Sequence, residues 1–572
     1  MPAASQIEES MAKRWALWWL FALLSIAALI SSLGTAFQTL PLNPDMTEMA
    51  QIYNGIAQYG LMFPFTWGYT QDNQVLSILP FAEIFYAITG VSGASVVIQG
   101  WLIFVINAAL TGLLVKVATK SWGWAGLAWL LALLASPMAI GQPAILAYPV
   151  THNSVWAFGL LGAIGLIRYF TDRPGWALPV TSLCVIVGTV SDPWFAAAFT
   201  VPAFILAWFS RRLFEVDTPS RKRMLKGIAY SYIIGKLLYF LGELAGMLPS
   251  DGLSFATFPQ MINHVGLLAE SIALYFQAYP APSNYVLQAI LVLYVTSITV
   301  VVALGTNTGY LKNKETKILL VFSVLSSIVI ASAFIFTAYA DGIGSSRFIV
   351  NIFYIGILWI MITAAALWDS QKTIARIFVA MAIGGYLSLG AASISVTGWR
   401  FHPNWGNTRT VAAFLADHHL HNGYTEYWNT KNAWSLDIFT RNTVVLHALS
   451  PNMGVLWPRD AAQSSLWNKP APGFQPTFFI FYASEPGYKA ATMKTFGQPK
   501  QVLHFENDTV YLYDHDLSQQ LALAIKNGMI RWNIKNNKNN RKSISKVGRT
   551  LGVSSAWAQN TYSWLIIHGL AK

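Results

Sequence analysis

From Trp15 to Val115 the chain contains no Lys or Arg, although this stretch includes a long polar loop carrying Asp45, Glu48, Asp72 and Glu83. A loop stripped of positive charge just after a first hydrophobic helix belongs on the extracytoplasmic side of a membrane, because cytoplasmic loops concentrate Lys and Arg. The pattern therefore places several carboxylates at the outer membrane boundary. Composition agrees, since 54% hydrophobic and 11% charged residues cannot make a soluble domain of 572 residues. The first apolar run, 15–37, follows Lys13 and Arg14 and is longer than a signal-peptide core, so it reads as an uncleaved transmembrane helix. Cys184 is the lone cysteine, which excludes disulfides and cysteine-ligated metal centres within one chain.

At about 20 apolar residues per crossing, the spans fall near 15–37, 95–115, 122–142, 154–170, 176–191, 193–210, 227–248, 284–305, 318–340, 348–367 and 377–397. Positive charge gathers in alternate loops, at Lys116/Lys120, Arg168/Arg173, Arg211 through Lys226, Lys312/Lys314/Lys317 and Lys372/Arg376. In the opposite set of loops Arg347 stands alone. The expectation is an all-α polytopic membrane domain of about eleven helices over residues 1–398, with a cytoplasmic N-terminus and a first outer loop at 38–94. The 76–92 segment reads as a re-entrant or interfacial helix, because an extra crossing there would break the charge alternation.

After Trp399 charges, His and Asn appear, and short β-rich runs alternate with helical ones. The segments 424–428, 443–447, 477–481 and 509–513 read as strands, and 409–421 and 433–439 as helices. A small extracytoplasmic α/β domain is expected over 399–516. From Leu517 onward there are nine Lys or Arg and no acidic residue, so this tail supplies nine of the net +12. Residues 517–572 read as a flexible basic tail, around the run Asn533–Lys542. With the tail outside the membrane, the charge gives no argument for nucleic acid.

No Gly-rich phosphate loop, HExxH, nucleophile elbow or EF-hand pattern occurs. What stands out is an order of pieces. Pro41-Leu-Asn-Pro-Asp45-Met-Thr-Glu48 follows the first helix and leads into the helix-like run 49–60. Then come Leu79-Pro80-Phe through Gly90, a helix ending at Lys116, another ending at Ala135-Ser136-Pro137, and later Gly344-Ser-Ser-Arg347-Phe348 at a helix start. In this arrangement the chain resembles the GT-C superfamily of polytopic glycosyltransferases. The resemblance implies a polyprenyl-phosphate sugar donor, a glycan, lipid or protein acceptor, inverting transfer at the outer face of a bacterial plasma membrane, and an essential Asp at the place of Asp45. It also implies that the Arg347-aromatic element meets the donor phosphate. The lysine-proline-proline signature of the lipid A aminoarabinose branch and the WWDYG-like motif of the oligosaccharyltransferases are absent, so the likeness is to the superfamily and to no branch.

Such a transfer needs a base for the acceptor hydroxyl and a cation for the departing phosphate. A partly desolvated carboxylate suits the base, and Asp45 is the first candidate. Asp45 and Glu48 are three apart, so on a helix they share a face and could hold Mg²⁺ or Mn²⁺. The structural alternative is an N-cap at Asp45 with Glu48 completing a capping box. His152, in Tyr148-Pro-Val-Thr-His152-Asn153, and Asp192, in Ser191-Asp192-Pro193, face the same outer surface and join the catalytic candidates. For Asp192 a helix-start signature competes. Arg347 could take a phosphate bidentately, against pairing with Asp341 or snorkelling. Lys236, about 10 Å along a membrane helix from Glu243, is a second donor-phosphate candidate because intramembrane charges default to function.

Two other classes compete with a transferase. A lipid-linked polysaccharide polymerase or ligase would place Arg or His in a large late loop, and the loop at 249–283 has His264 and no Arg. A transporter would show inverted repeats and midplane charges, for which Lys236 and Glu243 are the support. A non-catalytic scaffold of the same architecture is the remaining alternative.

Overall fold

The computed structural model describes residues 2–134, 152–245, 247–249, 254–276, 285–306, 311, 313–370, 372–397, 401–427, 433–452, 454–459, 462–464, 467 and 474–531. Its helices run in order α1 (Pro2–Thr39), α2 (Pro44–Tyr59), α3 (Leu79–Thr89), α4 (Gly93–Thr119), α5 (Trp122–Leu133) and α6 (Asn153–Thr171). They continue with α7 (Ala177–Ser191), α8 (Val201–Phe214), α9 (Thr218–Leu244), α10 (Phe258–Tyr275), α11 (Tyr285–Gly305) and α12 (Lys314–Phe336). The last six are α13 (Val350–Asp369), α14 (Thr373–Thr397), α15 (Thr408–Asp417), α16 (Ala433–Thr440), α17 (Pro486–Phe496) and α18 (Ser518–Arg531). The strands are β1 (Trp67–Gly68), β2 (Asn422–Thr425), β3 (Val445–Asn452), β4 (Val455–Pro458), β5 (Gln463–Ser464), β6 (Phe478–Tyr482), β7 (Gln501–Phe505) and β8 (Asp508–Leu512).

Each of the eleven apolar runs holds a helix over its described residues. Among the described residues nine helices are long and apolar enough to cross a membrane, while α5 has 12 residues and α7 has 15. The end of the α5 run, with Ala135-Ser136-Pro137, and the basic run Asn533–Lys542 lie outside the described residues. The segment expected as a plain loop at 249–283 contains α10, opened by a capping box between Thr257 and Gln260. Asn263, His264 and Glu270 make it too polar to read as a crossing.

The chain forms two compact units, each discontinuous in sequence. The helical unit takes Met1–Leu40, Gly100–Gly235 and Leu253–His402. Its centre is α13, whose apolar window, begun in the preceding 3₁₀ turn, is 83% buried against 17% for α11. At α6 and α7 the backbones approach closely because Gly165 has no Cβ; one placed there would lie 2.9 Å from the Ala177 carbonyl oxygen. The basic ends are tied together. Lys120 Nζ meets Glu315 at 2.5 Å, Thr316 Oγ1 donates to the Ala118 carbonyl at 2.9 Å, and Arg173 pairs with Asp217. Each of these joins two turns that the charge pattern assigns to the same side of the membrane.

The other unit takes Pro41–Gln99, Lys236–Gly252 and Pro403–Lys572. Its six-stranded sheet has the order β4-β3-β2-β6-β8-β7. β2 runs parallel to β3 and to β6, and the remaining pairs are antiparallel. Tyr424, Leu449, Trp457, Phe479 and Tyr511 form one packed core with α17 and with Leu521 and Ala522 of α18. The polar segment after α1 belongs to this unit: β1 pairs antiparallel with β5, Trp67 opposite Ser464, Pro41 bridges Asn404, and Ser435 Oγ donates to the Leu42 carbonyl.

Candidate active site

In the sheet-containing unit the site begins at the start of α2. Asn43 is the N-cap, with its Oδ1 accepting from the Met46 amide at 3.0 Å, and Pro44 opens the helix. The capping job that competed for Asp45 is therefore done two residues earlier. Asp45 is half-buried, and its Oδ1 accepts a 2.9 Å hydrogen bond from the Tyr427 hydroxyl, two residues past β2. The Arg459 guanidinium lies 3.0 Å from the centre of the Tyr427 ring, a cation–π contact that fixes the ring's orientation.

Glu48 sits one turn along α2, 4% exposed, and its Oε1 accepts from Trp67 Nε1 at 2.8 Å. Burial pushes its carboxyl up to about 8, helped by the neighbouring Asp45 and Asp72 and opposed by the Trp67 hydrogen bond and Arg459. Glu48 thus carries its proton at neutral pH. Two carboxyl groups a helical turn apart in different settings is a recurrent way of dividing acid and base roles. The pair is a poor cation site in this arrangement, because Glu48 Oε1 is taken by the Trp67 indole and Asp45 Oδ1 by the Tyr427 hydroxyl. Among the described residues no group of three or more His, Cys, Asp or Glu side chains could hold a metal ion.

The Glu48 shift carries a stability consequence. Its folded-state value lies above the ordinary 4.5, so its contribution is fully present below pH 4.5 and is lost as pH rises toward 8. The slope approaches 1.4 kcal/mol per pH unit inside that window. Thermal midpoints of the full chain in detergent should fall between pH 5 and pH 8, and Glu48→Gln should flatten the fall. Equal slopes in both proteins would assign the pH dependence elsewhere.

The helical unit brings together three other candidates. His152, just before α6, and Asp192, just after α7, are 4% and 2% exposed, with His152 Nδ1 2.5 Å from Asp192 Oδ2. The other oxygen of Asp192 accepts from the Trp194 amide at 2.8 Å, so the turn signature and the histidine contact use different atoms of one carboxylate. A carboxylate on one ring nitrogen fixes the tautomer and orients the other. The imidazole packs against Trp194, with ring centres 5.6 Å apart, and against Phe348 at 5.4 Å. Four residues past Asp192 the backbone widens into a π-helical turn, Ala196–Thr200, a distortion common beside functional residues.

Phe348 brings Arg347 with it. Arg347 lies in the 3₁₀ turn Ile343–Ile349, exposed, its guanidinium 5.1 Å from the Phe348 ring centre. Asp341, its alternative partner, instead accepts from Ser345 Oγ at 2.8 Å, and among the described residues no carboxylate pairs with Arg347. His152, Asp192 and Arg347, drawn from three segments, thus share one aromatic patch. Lys236 lies on α9 with its ammonium 5.4 Å from the Tyr239 ring centre.

Tyr427, Arg459 and Trp67 were not legible as site residues. Each is remote from its carboxylate in sequence and belongs to no motif. The one hint is that a strand-like run, Tyr424 to Trp428, contains the polar pair Glu426-Tyr427.

No protein-family model matches the chain, and no curated protein matches it. Among solved structures it is similar to the crystal structure of ArnT from Cupriavidus metallidurans in the apo state, with 11% identity, 88% of this chain and 98% of that chain covered, and a TM-score of 0.48.

Proposed function

We propose that the chain is an integral membrane glycosyltransferase that moves a sugar from a polyprenyl-phosphate carrier to a hydroxyl of a glycan, lipid or protein acceptor at the extracytoplasmic face. The observation that carries this reading is Asp45: a half-buried carboxylate on the polar first loop, relieved of helix capping by Asn43 and aligned by the Tyr427 hydroxyl. In the reaction the acceptor oxygen bonds to the anomeric carbon as the bond from that carbon to the phosphate oxygen breaks. The hydroxyl proton goes to Asp45, and the electron pair leaves with the lipid phosphate. General-base assistance of this kind contributes roughly 10²- to 10⁴-fold.

The departing phosphate gains negative charge and calls for a cation. Within the helical unit Arg347 is the group suited to a phosphate, because among the described residues no carboxylate pairs with it and its exposed bidentate fork stays available. His152, held by Asp192, is a second group for the phosphate side, and Lys236 on α9 is a further cation for a lipid phosphate. Glu48, neutral beside Asp45, keeps a second negative charge away from the base. The arrangement at Asp45 and Glu48 does not fit Mg²⁺ or Mn²⁺, and no step here uses a metal.

Mass spectrometry of surface glycans and lipid-linked sugars tests the reading in cells lacking the protein and in cells rescued with wild type. The expected result is loss of one sugar that wild type restores, with its lipid-linked donor accumulating. An unchanged profile would sink the transferase assignment. Arg347→Ala at matched membrane levels should cut transfer about 10²- to 10³-fold, with partial recovery in Arg347→Lys; full activity in Arg347→Ala would remove it from the phosphate site.

A further inference from the structure

The sheet holds a second candidate place for chemistry, away from Asp45. From β2 the chain passes through α16 to β3 on one side of β2, and it later returns to β6 on the other. This reversal makes the carboxyl end of β2 a topological switch point, where open α/β sheets leave a crevice for ligands. Glu426 is the first residue beyond β2. It is 4% exposed, it accepts a hydrogen bond from the Tyr482 backbone at the carboxyl end of β6, and among the described residues its Oε1 has no partner. An isolated buried carboxyl oxygen is costly unless something bonds to it.

The surroundings define what would fit. Asp508, 1% exposed, starts β8 opposite Tyr482, and Glu485 precedes α17. The half-buried Tyr488 on α17 is hydrogen-bonded to Ser450 of β3 and lies within electrostatic reach of Glu426, Glu485 and Arg459. Acceptor oxygens beside a tyrosine ring match a polyhydroxylated ring, which offers O–H donors at its edge and C–H groups to an aromatic face. Glu485 and Asp508 disfavour a phosphate or carboxylate ligand, and burial pushes the Glu426 carboxyl up to about 7.

We infer that the carboxyl end of β2 and β6 holds a saccharide-binding subsite for the acceptor, with Glu426 Oε1 accepting from a sugar hydroxyl and Tyr488 lining the ring. The inference rests on the transferase reading for the word acceptor and on the sheet alone for the site. Glu426 is also joined in sequence to Tyr427, which holds Asp45, so an occupied subsite and the base are positioned by consecutive residues.

The test is binding without donor, by saturation-transfer difference NMR on the detergent-solubilised full chain. The probes are the methyl glycosides of glucose, galactose, mannose and N-acetylglucosamine. At least one should receive saturation, with affinity falling about tenfold in the near-isosteric Glu426→Gln and further in Glu426→Ala. Tyr488→Leu gives a second reading that leaves Glu426 and its Tyr482 bond intact. Absence of binding by every glycoside, or binding unchanged in the folded Glu426 and Tyr488 variants, overturns the subsite. Glycoside binding that depends on Glu426 while the glycan profile of deleted cells is unchanged would uphold a saccharide site and remove the transferase reading; the reverse pair of results would remove the subsite alone.

Discussion

Asp45→Asn should reduce sugar transfer by about 10²- to 10⁴-fold while leaving the thermal midpoint of the protein nearly unchanged. The loss is what removal of a general base costs, and the retained stability follows from local geometry. An Asn side chain still offers an oxygen to the Tyr427 hydroxyl at the place where Asp45 Oδ1 accepts now, and the cap of α2 belongs to Asn43. Tyr427→Phe should be milder, about tenfold, because the carboxylate stays and only its alignment suffers. Measured on membranes with a lipid-linked donor, full transfer by Asp45→Asn would show that the proton leaves by another route.

The largest loss of stability is expected at Trp67. Its side chain is fully buried and touches Phe63, Trp434 and Trp467, with ring centres 6.0, 5.6 and 5.2 Å away. Trp67→Ala removes this contact surface and orphans Glu48, so a cost of about 3 to 5 kcal/mol from the cavity is joined by the penalty of a buried carboxyl without its donor. Trp67→Phe separates the two contributions, since it keeps most of the packing and deletes the N–H. Pairing Trp67→Phe with Glu48→Leu should restore most of what Trp67→Phe loses, because replacing both partners of a buried hydrogen bond by apolar groups is nearly neutral. Chemical denaturation followed by tryptophan emission reads all three; additivity in the double variant would refute the coupling.

Much of the helical architecture could be read directly from the chain, because a membrane crossing is a local property of about 20 apolar residues. Each of the eleven runs holds a helix over its described residues for that reason, and four strand-like runs overlap β2, β3, β6 and β8, the first only at Tyr424 and Thr425. The end of α7 at Ser191, where Asp192 takes extended dihedrals as the C-cap, matches the expected run 176–191. Short strands such as β1, two residues long, carry no periodic signal and exist through their partners. Of the site, the carboxylates, His152 and Arg347 could be named from charge and position. Their settings could not, since Tyr427 reaches Asp45 across 382 residues of chain and Asp192 reaches His152 across 40. Asn43 was overlooked as the cap because Asp45 is an equally good capping residue on sequence alone.

The pairing of β1 with β5 also bears on the order in which the protein can be made. Trp67 leaves the ribosome long before Ser464, its partner in register, and β8, which closes the sheet against β6, comes later still. Until then the polar loop that carries β1 has a strand edge without its partner. Pairings of such long sequence separation form slowly and leave intermediates open to aggregation and proteolysis. Biogenesis of this unit is therefore post-translational in character even if every helix inserts as it emerges, and premature termination anywhere before β5 leaves β1 without its partner strand.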